Sequence, residues 1–227
     1  MSNPAGYFIT GTDTGVGKTI VTLGLMRHLQ VQGKTVVALK PVATGCERTA
    51  AGLRNDDALR LQAQASFSLD YRQVNPYAFE PPIAPHIAAG LAGVRIEFDR
   101  IRSTLGTLSE QADCVLVEGI GGWQVPVNGR QTMADLARVL ALPVILVAGI
   151  RLGCLNHALL SAAAIEASGL RLAGWVANCI PPPADFAEDN INSLKSMISA
   201  PLLGVVPMLS EVNVGRVAGC LSLLAAG

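Results

Sequence analysis

Short, unbroken aliphatic runs recur along this chain, separated by longer segments in which apolar residues return at helical spacing. The runs are Tyr7–Thr10, Thr35–Leu39, Cys114–Val117, Val144–Ala148, Leu172–Ala177 and Leu202–Val206. A strand with one covered face alternates apolar and polar residues, whereas an unbroken run suits a strand covered on both. The intervening segments 17–32, 132–141, 154–168, 187–198 and 212–224 read as helices. Alternating strands and helices predict an α/β fold: a mostly parallel sheet flanked by helices, in three layers. No repeat, low-complexity tract or linker interrupts the pattern, so one domain over residues 1–227 is expected.

The stretch from Pro41 to Gly93 breaks the rhythm. It is rich in turn formers, including Asn75-Pro76-Tyr77 and the proline cluster from Pro81 to Pro85. A long excursion within a compact α/β domain is often functional, although an ordinary surface insertion has the same composition.

Composition narrows the classes. Half of the 227 residues are apolar but only 4% are aromatic, and 17 basic residues balance 17 acidic ones. That hydrophobicity excludes a disordered chain, and the zero balance gives no electrostatic footprint for nucleic acid. The longest apolar run, Val139–Ile150, holds Pro143 and falls well short of the roughly 20 residues a spanning helix needs, so no membrane association is expected. Met1–Gly6 lacks the basic region and apolar core of a signal peptide. Five scattered cysteines suggest neither a disulfide framework nor a zinc site. The cytoplasm is the expected location.

Chemistry enters with the segment Gly11–Thr19, which follows the first aliphatic run and opens the first helix. Glycines there let backbone N–H groups approach phosphate oxygens, and the helix N-terminus adds partial positive charge. Lys18 would neutralise terminal phosphates, and the Thr19 hydroxyl would ligate Mg²⁺. The spacing departs from the general motif: Thr12 stands where its first glycine would be. The whole points to a P-loop NTPase-type fold.

The chain has only four lysines, and Lys40 directly follows the second predicted strand. Ligands of parallel α/β sheets bind at the carboxyl ends of strands, so Lys18 and Lys40 are expected to share a crevice. Glu118 sits where the run Cys114–Val117 ends, a position from which a carboxylate can hold Mg²⁺ directly or through water. Asp57, in the pair Asp56-Asp57, offers a second carboxylate; a helix N-terminal charge is the plainer reading of it.

Taken in order, these segments resemble the dethiobiotin synthetase family. The resemblance runs through Gly11–Thr19, Lys40–Gly45, Leu53–Asp57, Asn75–Tyr77, Pro85-His86, Glu118–Trp123, Leu152–His157, Gly174–Asn178 and Pro201–Gly204. It implies an ATP-dependent ligase that joins 7,8-diaminopelargonate and CO₂ (or bicarbonate) into a ureido ring, with Mg²⁺ as cofactor and ATP as co-substrate. In that reading Lys18, Lys40 and Thr14 are catalytic, and Thr44 donates to the carbamate. Gly15, Val16, Gly17, Lys18, Thr19 and Ile20 wrap the phosphates. Asp57, Glu118, Gly119, Ile120 and Gly121 complete the nucleotide site, with Thr19, Asp57 and Glu118 organising the metal. No covalent nucleophile is implied, so Cys46 and Cys154 have no such role.

The resemblance also implies that Asn178 reads the base, and that Val206, Pro207, Met208 and Glu211 close over base and ribose. Cys179 stands where an acidic residue often neighbours that asparagine. Gly153, Cys154 and Asn156 open a helix whose free N–H groups would hold the substrate carboxylate across a homodimer interface, so that sites are shared. His86 and His157 read equally well as packed structural histidines. The rival reading is a deviant P-loop ATPase that acts as a nucleotide-dependent dimer switch. It fits poorly, because the signature lysine of that class is absent from Thr12-Asp13-Thr14.

Overall fold

The computed structural model describes residues 6–209, 211 and 213–223. Six strands form the central sheet: β1 (Gly6–Gly11), β2 (Val36–Leu39), β3 (Cys114–Gly122), β4 (Val144–Ile150), β5 (Leu172–Cys179) and β6 (Leu202–Val206). They lie in the order β6-β5-β4-β1-β3-β2, with every neighbouring pair parallel. Every residue of β2 and β4 is buried, as their continuous aliphatic runs require of strands covered on both faces.

The helices are α1 (Lys18–Val31), α2 (Asp56–Gln64), α3 (Tyr71–Val74), α4 (Pro85–Leu91), α5 (Phe98–Ser109), α6 (Met133–Leu140), α7 (Cys154–Ala167), α8 (Ala187–Met197) and α9 (Val214–Gly219). Helix α1 packs with α2 and α9, α5 with α6, and α7 with α8. Helices on a parallel sheet make the three-layer architecture that the alternation predicts. One cluster of buried apolar side chains runs from Phe8 to Leu221. Among the described residues no helix is long and apolar enough to cross a membrane.

Four local features go beyond or depart from the expectations from sequence. First, β3 does not end before Glu118 but continues to Gly122, pairing Ile9 with Glu118 and then shifting register against β1. Glu118 therefore projects from within a buried strand. Second, the stretch from Pro41 to Gly93 is largely ordered secondary structure. It holds the hairpin of Glu47–Thr49 with Gly52–Arg54, helices α2 to α4, and a short parallel pairing of Val42–Ala43 with Tyr77–Ala78. Third, α5 lies where no helix was assigned, although Phe98, Ile101, Leu105 and Leu108 return at helical spacing and are all buried. The last helix is also shorter than the segment 212–224, whose end positions lie outside the described residues.

Candidate functional site

The phosphate loop leaves the end of β1 and enters α1 at Lys18. Gly15 and Gly17 carry φ of 74° and 87°, the left-handed region that glycine occupies without a side-chain clash. Gly17 is also the N-cap of α1, where no side chain caps the first turn. The free N–H groups of that turn therefore face the crevice, ready for an anion. Thr12, in place of a glycine, binds the loop to β4. Its N–H donates to Val147 O at 3.0 Å, and its hydroxyl accepts from Gly149 N at 3.4 Å.

Lys18 is almost enclosed, and its Nζ donates to the carbonyls of Asp13 (2.9 Å) and Gly121 (2.7 Å). Burial pushes its pKa down to about 8, against the pull of Glu118. The Asp13 side chain is held in turn by Arg151 at 2.7 Å and accepts from Thr14 N, so the loop is anchored to the segment that follows β4. Sequence reasoning missed Arg151.

Lys40 lies at the end of β2 with its whole side chain buried. Nζ donates to Glu118 Oε1 at 2.6 Å and pairs with Asp57 Oδ2 at 3.0 Å. Burial, the largest single influence, opposes its charge, but Glu118 and Asp57 outweigh it and hold the ammonium above its ordinary pKa. Burial likewise pushes Asp57 up, yet Lys40 more than offsets this and its carboxyl ends below the usual range.

The Lys40 backbone is pinned from the turn-rich stretch between Pro41 and Gly93. Its N–H donates to Val74 O at 2.7 Å, and Asn75 Nδ2 donates to Lys40 O at 2.8 Å. Asn75 Oδ1 accepts from the Tyr71 hydroxyl, whose oxygen accepts from Asn55 N. Asn55 caps α2, the helix that carries Asp57 in its first turn. A chain of buried polar contacts thus fixes Lys40 relative to its carboxylate partner, which gives the Asn75-Pro76-Tyr77 motif a structural purpose. In the Glu118–Trp123 motif the indole of Trp123 packs edge-on against Phe8, with ring centroids 6.2 Å apart.

These groups open onto one cavity of about 310 Å³, bordered by Thr14, Gly15, Gly17, Lys18, Thr19 and Ile20 of the loop side. Lys40, Thr44, Asp57, Glu118, Ile120 and Gly121 face them, with Asn55 and Arg60 at the margin. Arg60 escaped sequence reasoning; its position one helical turn after Asp56 was the available signal.

The Thr19 hydroxyl donates to Glu118 Oε1 at 2.8 Å, while Glu118 Oε2 is buried with no partner among the described residues. A buried carboxylate oxygen left without a donor is costly. Thr19, Asp57 and Glu118 form an all-oxygen, hard donor set, which suits Mg²⁺ rather than a softer metal. The residues present fit that ion.

Other predicted positions stand outside this cavity. Val16 and Gly119 are buried beside it, Val16 as part of the core. Asn178 donates Nδ2 to Val16 O at 2.8 Å, and a Cβ at Gly17 would collide with that amide. Asn178 is therefore built into the support of the phosphate loop. Cys179 is half-buried next to it, Val206 is a core residue, and Pro207, Met208 and Glu211 lie at or near the surface. Gly153 and Asn156 are exposed and Cys154 is buried, all away from the cavity of their own chain. The Cys154 thiol faces the core, and its N–H already donates to Arg151 O at 3.0 Å. His157 is exposed, and His86 is half-buried with Nδ1 unpartnered among the described residues.

Comparison with known proteins bears on the same question. The family model described as "AAA domain" matches residues 5–215. ATP-dependent dethiobiotin synthetase of Pseudomonas aeruginosa strain PAO1 is 53% identical over 96% of this chain and 96% of its own. The enzyme of the same name from Cellvibrio japonicus is 51% identical over 98% and 97%. Among solved structures, the MinD cell division protein of Aquifex aeolicus superposes with a TM-score of 0.57 at 17% identity, covering 96% of this chain and 87% of that one. The signal recognition particle receptor FtsY of Elizabethkingia anophelis gives 0.55 at 18%, over 99% and 61%. Likeness at such identity shows the fold alone, here that of P-loop NTPases. Identity of 51 to 53% over nearly the whole length goes far beyond a shared fold, and the chain belongs to the ATP-dependent dethiobiotin synthetases, a family of ligases.

Proposed function

We propose that the protein carboxylates and cyclises 7,8-diaminopelargonate (7,8-diaminononanoate) with CO₂, using ATP and Mg²⁺ and yielding dethiobiotin, ADP and phosphate. One observation carries the reading: Lys18 and Lys40 converge on a single cavity with Thr44, Asp57 and Glu118. That is concentrated positive charge beside a phosphate loop, at the end of a sheet.

The chemistry requires two anions to meet. One amine of the substrate captures CO₂ as a carbamate and loses a proton. A carbamate oxygen then takes the γ-phosphoryl group, releasing ADP and leaving a mixed anhydride. The second amine attacks the anhydride carbon and gives up a proton, phosphate departs with the bonding pair, and the ring closes. Nothing in this sequence calls for a covalent enzyme nucleophile. Positioning and electrostatic stabilisation supply the catalysis.

Lys18, at the head of α1, would follow the transferring phosphoryl group. Lys40 and the Thr44 hydroxyl, across the cavity, would hold the carbamate and its phosphorylated form, and Thr14 would donate from the loop. Thr19, Asp57 and Glu118 would hold the Mg²⁺, which when bound neutralises charge on the nucleotide phosphates. Asn178 would reach the base from its place beside the loop, with Val206 to Met208 and Glu211 near the ribose.

Gly153 and Asn156, at the exposed N-terminus of α7, do not line the cavity of their own chain. That terminus suits the carboxylate of substrate bound to a second copy, so we read the protein as a homodimer with shared sites, a single domain per chain, and a cytoplasmic enzyme. The direct test is incorporation of labelled bicarbonate into dethiobiotin with ATP, Mg²⁺ and the diamine. Product that depends on all three is the expected result; no product from folded protein rejects the assignment.

A further inference from the structure

Asp57 and Glu118 already share a cation. Among the described residues Lys40 alone lies within ion-pairing distance of both, 3.0 Å from Asp57 Oδ2 and 2.6 Å from Glu118 Oε1. These are the carboxylates that, with Thr19, suit a divalent ion. We propose that Lys40 is a placeholder cation: it neutralises the Asp57–Glu118 pair in the metal-free protein, and an arriving divalent ion displaces its ammonium into the cavity. The inference rests on the metal reading given above and adds an order of events to it.

Three observations support the exchange. Glu118 is fully buried, and an unpaired buried carboxylate is strongly unfavourable, so some cation must stand beside it in every state. Glu118 Oε1 already accepts from both Lys40 Nζ and the Thr19 hydroxyl, while Oε2 has no partner among the described residues. An ion held by Thr19 and Glu118 would face the Lys40 ammonium at close quarters, and like charges in so enclosed a place repel strongly. Finally, the Lys40 backbone is pinned by Val74 and Asn75, but its side chain borders an open cavity beside Thr44. The flexible four-carbon stem can therefore swing without moving the strand.

The consequence is that Lys40 becomes available to the anionic reacting group only after the carboxylates have been taken over. A lysine left on Glu118 and Asp57 has its charge spent. Loading of the metal thereby arms the lysine, and the carbamate meets a free ammonium only in a loaded site.

The test uses Mn²⁺ as the probe, in protein without nucleotide, with free ion followed by electron paramagnetic resonance. Lys40→Met keeps the length of the side chain and removes the competing charge. It is expected to bind Mn²⁺ about tenfold more tightly than the natural protein, a shift of about 1.4 kcal/mol. Equal or weaker binding by folded Lys40→Met overturns the exchange. A second measurement needs no variant: acylation of lysines by an amine reagent, read by peptide mass. Saturating Mn²⁺ should raise labelling of Lys40 severalfold and leave the exposed Lys34 and Lys195 unchanged. An unchanged rate at Lys40 overturns the proposal even if Lys40→Met fails to fold. Absence of Mn²⁺ binding by both proteins would instead reject the metal site, and the exchange with it.

Discussion

Lys18 shows how much a single residue's surroundings alter its chemistry. In water its ammonium would stay charged well past pH 9, but burial brings the pKa to about 8. The free enzyme therefore loses this cation as pH rises through that value. We expect kcat/KM for ATP to decline above pH 8, with an inflection that Lys18→Arg removes, since a guanidinium stays protonated. A profile flat to about pH 9.5 would detach Lys18 from phosphate binding. The stability effect has the opposite sign. A folded pKa below the unfolded one means that charging opposes folding, a cost fully present below pH 8 and relieved between about 8 and 10.5. Asp57 and Lys40 behave otherwise. The lowered pKa of Asp57 contributes stability that is lost as pH falls through its folded value, and the raised pKa of Lys40 contributes stability lost only at strongly alkaline pH. Little of this could be read from composition: lysine is identifiable in a sequence, but its burial is not.

At the scale of elements, the loop from β1 into α1 depends on contacts from a distant strand. Asn178 at the end of β5 holds Val16 O, and Gly17 leaves just enough room for that amide. Gly17→Ala would impose a side chain at φ 87° and drive it into Asn178. The expected outcome is loss of most ATP affinity with the sheet intact, checked by nucleotide titration beside circular dichroism. Retained affinity would show that the loop tolerates another path. Helix α6 offers a contrast away from the cavity. Its Thr132 and Asp135 cap one another, so Thr132→Ala should lower stability by about 1 kcal/mol in urea and leave the labelled-bicarbonate assay unchanged. The sheet strands, α1 and the phosphate loop were legible in the sequence because each carries a strong local signature. The hairpin and helices between Pro41 and Gly93 were not, because their residues are turn-rich and their order comes from partners far along the chain: α2 packs on β2 and α1, α3 on β2, and α4 on the segment Pro126–Asn128.

For the whole molecule, the prediction concerns shared sites. If α7 of one subunit serves the cavity of another, a Lys40 variant and an Asn156 variant should each be inactive as pure dimers. Mixed dimers should then regain activity, since one of the two sites has both residues intact. Light scattering would establish the dimer, and carboxylation rates across mixing ratios would measure recovery. Activity that never exceeds that of the pure variants would confine each site to one chain. The aliphatic excess and scarcity of aromatics also belong to this scale. They fill a parallel sheet covered on both faces, while the balanced charges matter through placement rather than sum.

By itself the sequence determined the six strands of the sheet, the helix that follows the phosphate loop, the loop itself and the family, since each is written in local spacing and in motifs that survive without coordinates. It also named the two lysines and two carboxylates. Only the tertiary structure decided how they meet. Lys40 directly follows β2, Asp57 lies in α2 and Glu118 in β3, and their pairing depends on strand register and on the Tyr71–Asn75 contacts. Distance along the chain carries no information about such contacts. The same folding buries Lys18, extends β3 past Glu118, and turns Asn178 toward the loop. Hydrophobic periodicity specifies which faces are covered, but the charge state and partner of a buried polar group follow from the three-dimensional neighbours that share its burial.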